Sequence, residues 1–324
     1  MIINIQLLRF IAALLIVVHH SVGTGRAYGF NAPIFSSFVD LSKIGVDIFF
    51  VISGFVITLS FLREKPSASV FLMKRFCKVI PMYWIMTTIL LLVLIVFPSR
   101  YVNSDMASFN EIALSYLFLS QLVENDAPIF FVGWTLEFEM LFYSIFGIFI
   151  FSLKKTIPVL IFTYLFTLIL SFFVSAYMMY FAFGIVFAIV YMLRRKRFFN
   201  EFCIILVGVF LPLVLLNYNS GEFNEEIFLL MLAVVMLCFF MIFSSQLKYK
   251  AIIFLGRITY STYLGQVFSI SLFYKGAAIL GLSSSGDLLL IGSCVFTVFT
   301  GALIFMYIEV PVDKFIRSNL ATNW

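Results

Sequence analysis

Residues 79–98 read VIPMYWIMTTILLLVLIVFP, without one acidic, basic or imidazole side chain. At 1.5 Å per residue such a run makes a helix of about 30 Å, the thickness of a bilayer's hydrocarbon core. Further apolar segments, most of them close to span length, lie outward from it near 4–22, 44–62, 134–153, 157–175, 177–193, 203–218, 227–246, 258–280 and 288–309. The composition agrees. Of 324 residues, 63% are hydrophobic and 11% charged, against about 25% charged in a soluble domain. A water-soluble fold of this size could not bury so much Leu, Ile, Val and Phe. These features predict an all-α integral membrane protein, a bundle of about ten transmembrane helices in one domain over 1–324, with no separate soluble domain. The shorter stretch 111–122 reads as interfacial or re-entrant. The run Leu7–Val18 has the length of a signal-peptide core, but no lysine precedes it and Arg9 and a His pair lie within or against it. It therefore reads as a retained first span.

Charge placement orients the bundle. Connections at 63–78, 154–156, 194–202 and 247–257, with the tail 310–324, hold 16 of the 21 Lys and Arg. The opposite side holds only Arg26, Lys43, Arg100 and Lys275, beside Asp105, Glu111, Glu124, Asp126, Glu222, Glu225 and Glu226. The positive-inside rule then puts both termini in the cytoplasm. The net charge of +5 is spread over short loops and forms no basic stripe with interleaved aromatics, so nucleic acid is not an expected partner. Cys77, Cys203, Cys238 and Cys294 are far apart in sequence. They suggest neither a disulfide framework nor a metal site.

Ionisable residues inside spans are costly and mark cavities, partners or substrates. Arg9, His20, Asp47 and Glu139 are such residues, with Glu309 near the end of the last span. Arg9 and His20 are eleven residues apart, about three turns and about 16 Å, so one helix face carries a cation toward the inside and a proton-transfer group further out. His19 points about 100° away from His20. An unperturbed imidazole, with a pKa near 6.5, suits general-base work. Asp47 is expected at a depth similar to that of His20, and Glu139 with Tyr143 four residues on also enters from the outside. A carboxylate could orient the imidazole there, as in acyl-transfer sites; the bland reading of each is an interhelical polar contact. The basic run 74–78, read as a loop before Pro81, suits phosphate or pyrophosphate, although topology alone also yields such patches.

At these residues the sequence resembles the bacterial acyltransferase 3 family of integral membrane acyltransferases. Arg9 and His20 match its Arg/Lys-x10-His pattern, and Gly45 to Gly54 resembles its Gly-Val-Asp stretch. Arg75 to Lys78 with Pro81 resembles its Arg-x-x-Arg loop, and Trp134, Thr135, Leu136, Glu139, Phe142 and Tyr143 resemble its Trp-Ser-Leu-x-x-Glu-x-x-Phe-Tyr motif. Leu255 to Leu264 resembles the motif opening its penultimate span, and Glu309 with Pro311 its final Glu-x-Pro. Lys78 replaces an Arg, keeping the charge but losing the bidentate fork. Gln266 stands where many members carry His. A fused SGNH domain, which some members carry, is not expected here.

The resemblance implies a multi-pass enzyme of the bacterial cytoplasmic (inner) membrane. It would be an O-acetyltransferase moving an acyl group from cytoplasmic acetyl-CoA to a carbohydrate or lipid-linked glycan outside, such as a surface polysaccharide or lipopolysaccharide O-antigen, without a metal. It implies His20, Asp47 and Glu139 as catalytic residues. His20 either deprotonates the acceptor hydroxyl or carries the acyl group, and Asp47 or Glu139 fixes its tautomer. Arg9, Arg75 and Lys78 would hold the donor, and Trp134 and Tyr143 would face the substrate. The competing reading is a proton-coupled multi-pass transporter; no internal repeat of the kind such carriers show stands out. Oligomeric state is not legible, because lipid-facing and partner-facing apolar surfaces look alike.

Overall fold

The computed structural model describes residues 3–97, 108–193, 196–220, 225–242, 250–282 and 285–319. Among these residues there is no strand. The helices in chain order begin with α1 (Ile3–Ala27), two single turns α2 (Pro33–Ser36) and α3 (Val39–Ser42), α4 (Ile44–Glu64) and α5 (Ala68–Val96). Two short helices follow, α6 (Phe109–Leu117) and α7 (Ser120–Val123), then α8 (Trp134–Leu153), α9 (Thr156–Phe173) and α10 (Tyr177–Met192). The chain continues with α11 (Lys196–Ser220), α12 (Glu225–Ile242), α13 (Lys250–Ile279) and α14 (Gly286–Ile304). A π turn at Phe305–Glu309 leads into α15 (Val310–Asn319). Among the described residues, six stretches are long and apolar enough to cross a membrane: Ile3–Ala27, Val39–Glu64, Ala68–Val96, Phe131–Leu153, Thr156–Phe173 and Gly286–Asn319. Tyr177–Met192, Phe199–Val214 and Phe228–Ile242 are shorter apolar helices.

Helix α9 shows the solvent for which this protein is built. Thr163 and Thr167 are buried, while Phe162, Leu165, Phe166 and Ile169 are exposed. A hydroxyl face turned inward and an apolar face turned outward would be unstable in water and is natural in lipid.

The backbone falls into two compact units. One comprises Met1–Lys65 and Tyr164–Ala302, the other Pro66–Thr163 and Leu303–Trp324. In the first, α1 and α13 run side by side in the same sense: Gly256 lies against Gln6, and Gly25 against Tyr274, where an added methyl would meet the ring at 3.0 Å. Helix α14 returns antiparallel to α13, with Gly292 beside Phe273 and Gly301 beside Thr262. Helices α4 and α10 are parallel, because Phe50 packs on Tyr177 at 5.4 Å and Phe55 on Tyr191 at 5.8 Å. These two helices touch backbone to backbone. A methyl at Gly54 would strike the Phe181 backbone, and one at Gly184 would come within 2.6 Å of the Phe55 nitrogen. The glycines of the Gly45–Gly54 motif are thus packing residues: Gly45 in turn abuts the carbonyl of Ala12. Close approach at small residues is how membrane helices gain dispersion energy without a hydrophobic driving force. Gly54→Ala is therefore expected to lower stability by about 1–3 kcal/mol, read as a fall in the melting temperature of the detergent-solubilised protein.

In the second unit, α5 and α8 pack antiparallel. Phe71 stacks on Phe146 at 5.2 Å, Leu72 meets Gly147, and Tyr83 meets Gly133. One expectation is corrected here. The basic run 74–78 is no loop: α5 starts at Ala68, capped by Ser67, and continues through Pro81. Proline removes only its own N–H and clashes locally, and apolar neighbours on both sides keep the helix intact. The apolar window began at 79 because Lys74, Arg75 and Lys78 dilute the signal in the first turns.

Candidate active site

Within the first unit, α1 is one unbroken helix, so Arg9 and His20 keep their offset of about 16 Å on one face. The two histidines separate into different roles. His19 Nδ1 lies 3.1 Å from the Val39 carbonyl, to which it donates, and so ties α1 to α3. His20 meets the His19 ring edge-on at 5.4 Å. The connection over which His19 reaches is itself anchored: the Phe35 N–H donates to the Asp287 carboxylate at 3.3 Å, and Gly286 lies against Asn31. Beside His20, Ser21 shares a hydrogen bond with Ser293 at 3.1 Å.

Asp47 is buried in α4, but not at the level of His20. The chain passes His19 at Val39 and reaches Ala12 and Ile16 at Gly45, so α4 descends along α1. Two residues further on, Asp47 is about 5 Å in depth from Arg9 and about 12 Å from His20. The similar depth expected for the two is not what the fold gives, because the anchored connection before α4 carries the chain further along α1 before Asp47 is reached. None of Arg9, His20, Asp47 and Glu139 is free; each engages a partner group.

The second unit carries the other residues. Glu139 accepts a hydrogen bond from the Tyr143 hydroxyl one turn on, the i, i+4 arrangement expected on a helix. Trp134 opens α8, with its ring 6.1 Å from that of Phe138. Arg75 is half-buried; its guanidinium lies 5.8 Å over the Phe71 ring, and its Nε is buried without a hydrogen-bond partner. Lys78 forms an ion pair with Glu309 and lies 3.8 Å from Asp313, so the motif lysine is bound to the motif glutamate that ends the last span. The π turn ends on this buried glutamate. Such turns recur at functional positions.

Glu137 lies two residues before Glu139 and points to another face of α8. It is fully buried, and its carboxylate accepts from the backbone N–H groups of Ser120 at 3.2 Å and Gln121 at 2.8 Å. Together with Tyr83, whose hydroxyl donates to the Ser115 carbonyl at 3.1 Å, it fastens α6 and α7 onto α5 and α8. The available signal was a carboxylate in the first turn of an apolar span, a position with free N–H donors nearby. Glu137→Ala should cost about 1–3 kcal/mol through the two orphaned N–H groups; limited proteolysis between residues 108 and 130 should accelerate. Among the described residues, no cluster of His, Cys, Asp and Glu could hold a metal ion.

Residues 2–307 match the family described as an acyltransferase domain. Over 112 residues the chain is 30% identical to the exopolysaccharide production protein ExoZ of Rhizobium meliloti (strain 1021), a stretch covering 33% of this chain and 34% of that protein. The match therefore spans about a third of the relative's length. No solved structure matches the chain.

Proposed function

We propose that this chain, which belongs to the acyltransferase family matched over residues 2–307, is an O-acetyltransferase of the bacterial inner membrane that takes acetyl groups from cytoplasmic acetyl-CoA and delivers them to a carbohydrate hydroxyl on the outer side. In this reading the whole of 1–324 acts as one domain of ten spans with both termini in the cytoplasm. The observation that carries the reading is the unbroken helix α1, with Arg9 and His20 on one face about 16 Å apart: a cation for the donor and an imidazole for the chemistry. The similarity to a protein named for exopolysaccharide production supports a polysaccharide acceptor.

Arg75 holds the CoA phosphates at the cytoplasmic mouth, and Lys78 joins it by exchanging its pairing with Glu309 for a phosphate oxygen. Arg9, steadied by Asp47 near its own depth, grips the donor deeper in. His20 removes the acceptor's hydroxyl proton as oxygen attacks the thioester carbonyl, or it takes the acetyl group itself and passes it on. Either route forms the ester and releases CoA as the thiol. Trp134 and Tyr143 face the sugar, with Glu139 held by the Tyr143 hydroxyl.

The test follows label from acetyl-CoA into carbohydrate. Membranes containing the protein should transfer label to an acid-precipitable glycan, and membranes without it should not. Absence of transfer in both, with proton-coupled uptake of a polar substrate only when the protein is present, would replace this reading by a carrier.

A further inference from the structure

Helix α13 turns a polar face into the first unit at Thr262, Gln266 and Ser269, spaced four and three residues apart. All three side chains are buried. At the end nearer Ser269 the polarity is satisfied. The Ser269 hydroxyl donates to Thr297 at 3.0 Å, and Ser293, one turn earlier on α14, shares its hydrogen bond with Ser21 of α1. Toward Thr262 it is not. The Thr262 hydroxyl and both polar atoms of the Gln266 carboxamide are buried without a hydrogen-bond partner, although α14 passes within van der Waals reach at Gly301. Natural interiors rarely leave a carboxamide wholly unmatched, and such groups call for an explanation. Ile270, one turn on along the same face, is apolar and buried and offers it nothing.

The position gives the explanation. Pairing of Gln6 with Gly256 and of Gly25 with Tyr274 fixes the register of α1 and α13. Gln266 then lies level with Ile16 and Val17, between Arg9 and His20. A carboxamide presents one acceptor and two donors in a plane. A ligand hydroxyl or lone carbonyl would answer one side of it; another amide answers both. We infer that Gln266, with the Thr262 hydroxyl one turn away, binds a secondary amide of the pantetheine arm of acyl-CoA as that arm passes from Arg9 toward His20. The inference rests on the acyl-CoA reading above and adds a residue that determines donor recognition. Gln266 takes no part in bond making: it aligns the arm so that the thioester reaches the imidazole.

The test measures CoA binding to the detergent-solubilised full chain by titration calorimetry, alongside melting temperature without CoA. Gln266→Leu should weaken CoA binding about tenfold, and Thr262→Val about threefold, the scale of single buried hydrogen bonds. The ligand-free melting temperature of Gln266→Leu should hold or rise, because leucine removes an orphaned polar group. A structural amide predicts the reverse. If Gln266→Leu binds CoA as wild type does, or melts lower without CoA or fails to fold, the subsite is wrong. If wild type itself binds no CoA, the acyl-CoA reading falls and the subsite with it.

Discussion

Replacing His20 by alanine is expected to reduce acyl transfer by about 10²–10⁴-fold, the range for removing a general base or carrier, with little change in melting temperature. The helix that holds His20 is secured by other contacts: Ser21 with Ser293, Gly25 against Tyr274, and His19 with the Val39 carbonyl. Alanine is also a better helix former than histidine. His19→Ala is the matched control, because it removes an adjacent imidazole whose Nδ1 is committed to the backbone. It should loosen the connection over residues 28–43 and raise the KM for acceptor, with a far smaller loss in turnover. Equal losses in the two variants would mean that the pair acts by packing alone.

Lys78→Met is expected to destabilise the protein by about 3 kcal/mol. Glu309 is 2% exposed and Lys78 46% exposed. Removing the lysine strands a buried carboxylate, whereas removing the glutamate leaves a lysine that reaches water and Asp313. Breaking a buried pair from its exposed side therefore costs near the lower end of the 3–5 kcal/mol range, and Glu309→Gln should cost about 1 kcal/mol. The double variant Lys78→Met with Glu309→Gln should recover most of the loss, a coupling that melting curves of the four proteins measure directly. Additive losses would show that the pair contributes nothing beyond its separate packing.

The helices were legible because lipid leaves a coarse signal: length and apolarity suffice to find α1, α4, α8 and α9. The start of α5 was not, because charged first turns read as loop when a hydropathy window is the guide. The parallel pairing of α4 with α10 could not be read either, although Gly54 and Gly184 were visible, since many glycine pairs would serve as well. The candidate residues were legible one by one from their cost in a membrane. Their partners were not. Lys78 and Glu309 are 231 positions apart, and Glu137 reveals its purpose only when Ser120 and Gln121 fold against it. Asp47 shows the same limit in depth: its place beside α1 depends on how the connection between α1 and α4 is tied down at Val39 and Asp287.

The most direct measurement of the central claim uses sealed vesicles of one orientation that hold the protein and a carbohydrate acceptor, with labelled acetyl-CoA supplied on one face only. Donor on the cytoplasmic face should place label on acceptor at the opposite face with wild type and not with His20→Ala; donor on the outer face should give none. Label confined to the donor's own face, or transfer that persists at wild-type rate in His20→Ala, would contradict the account.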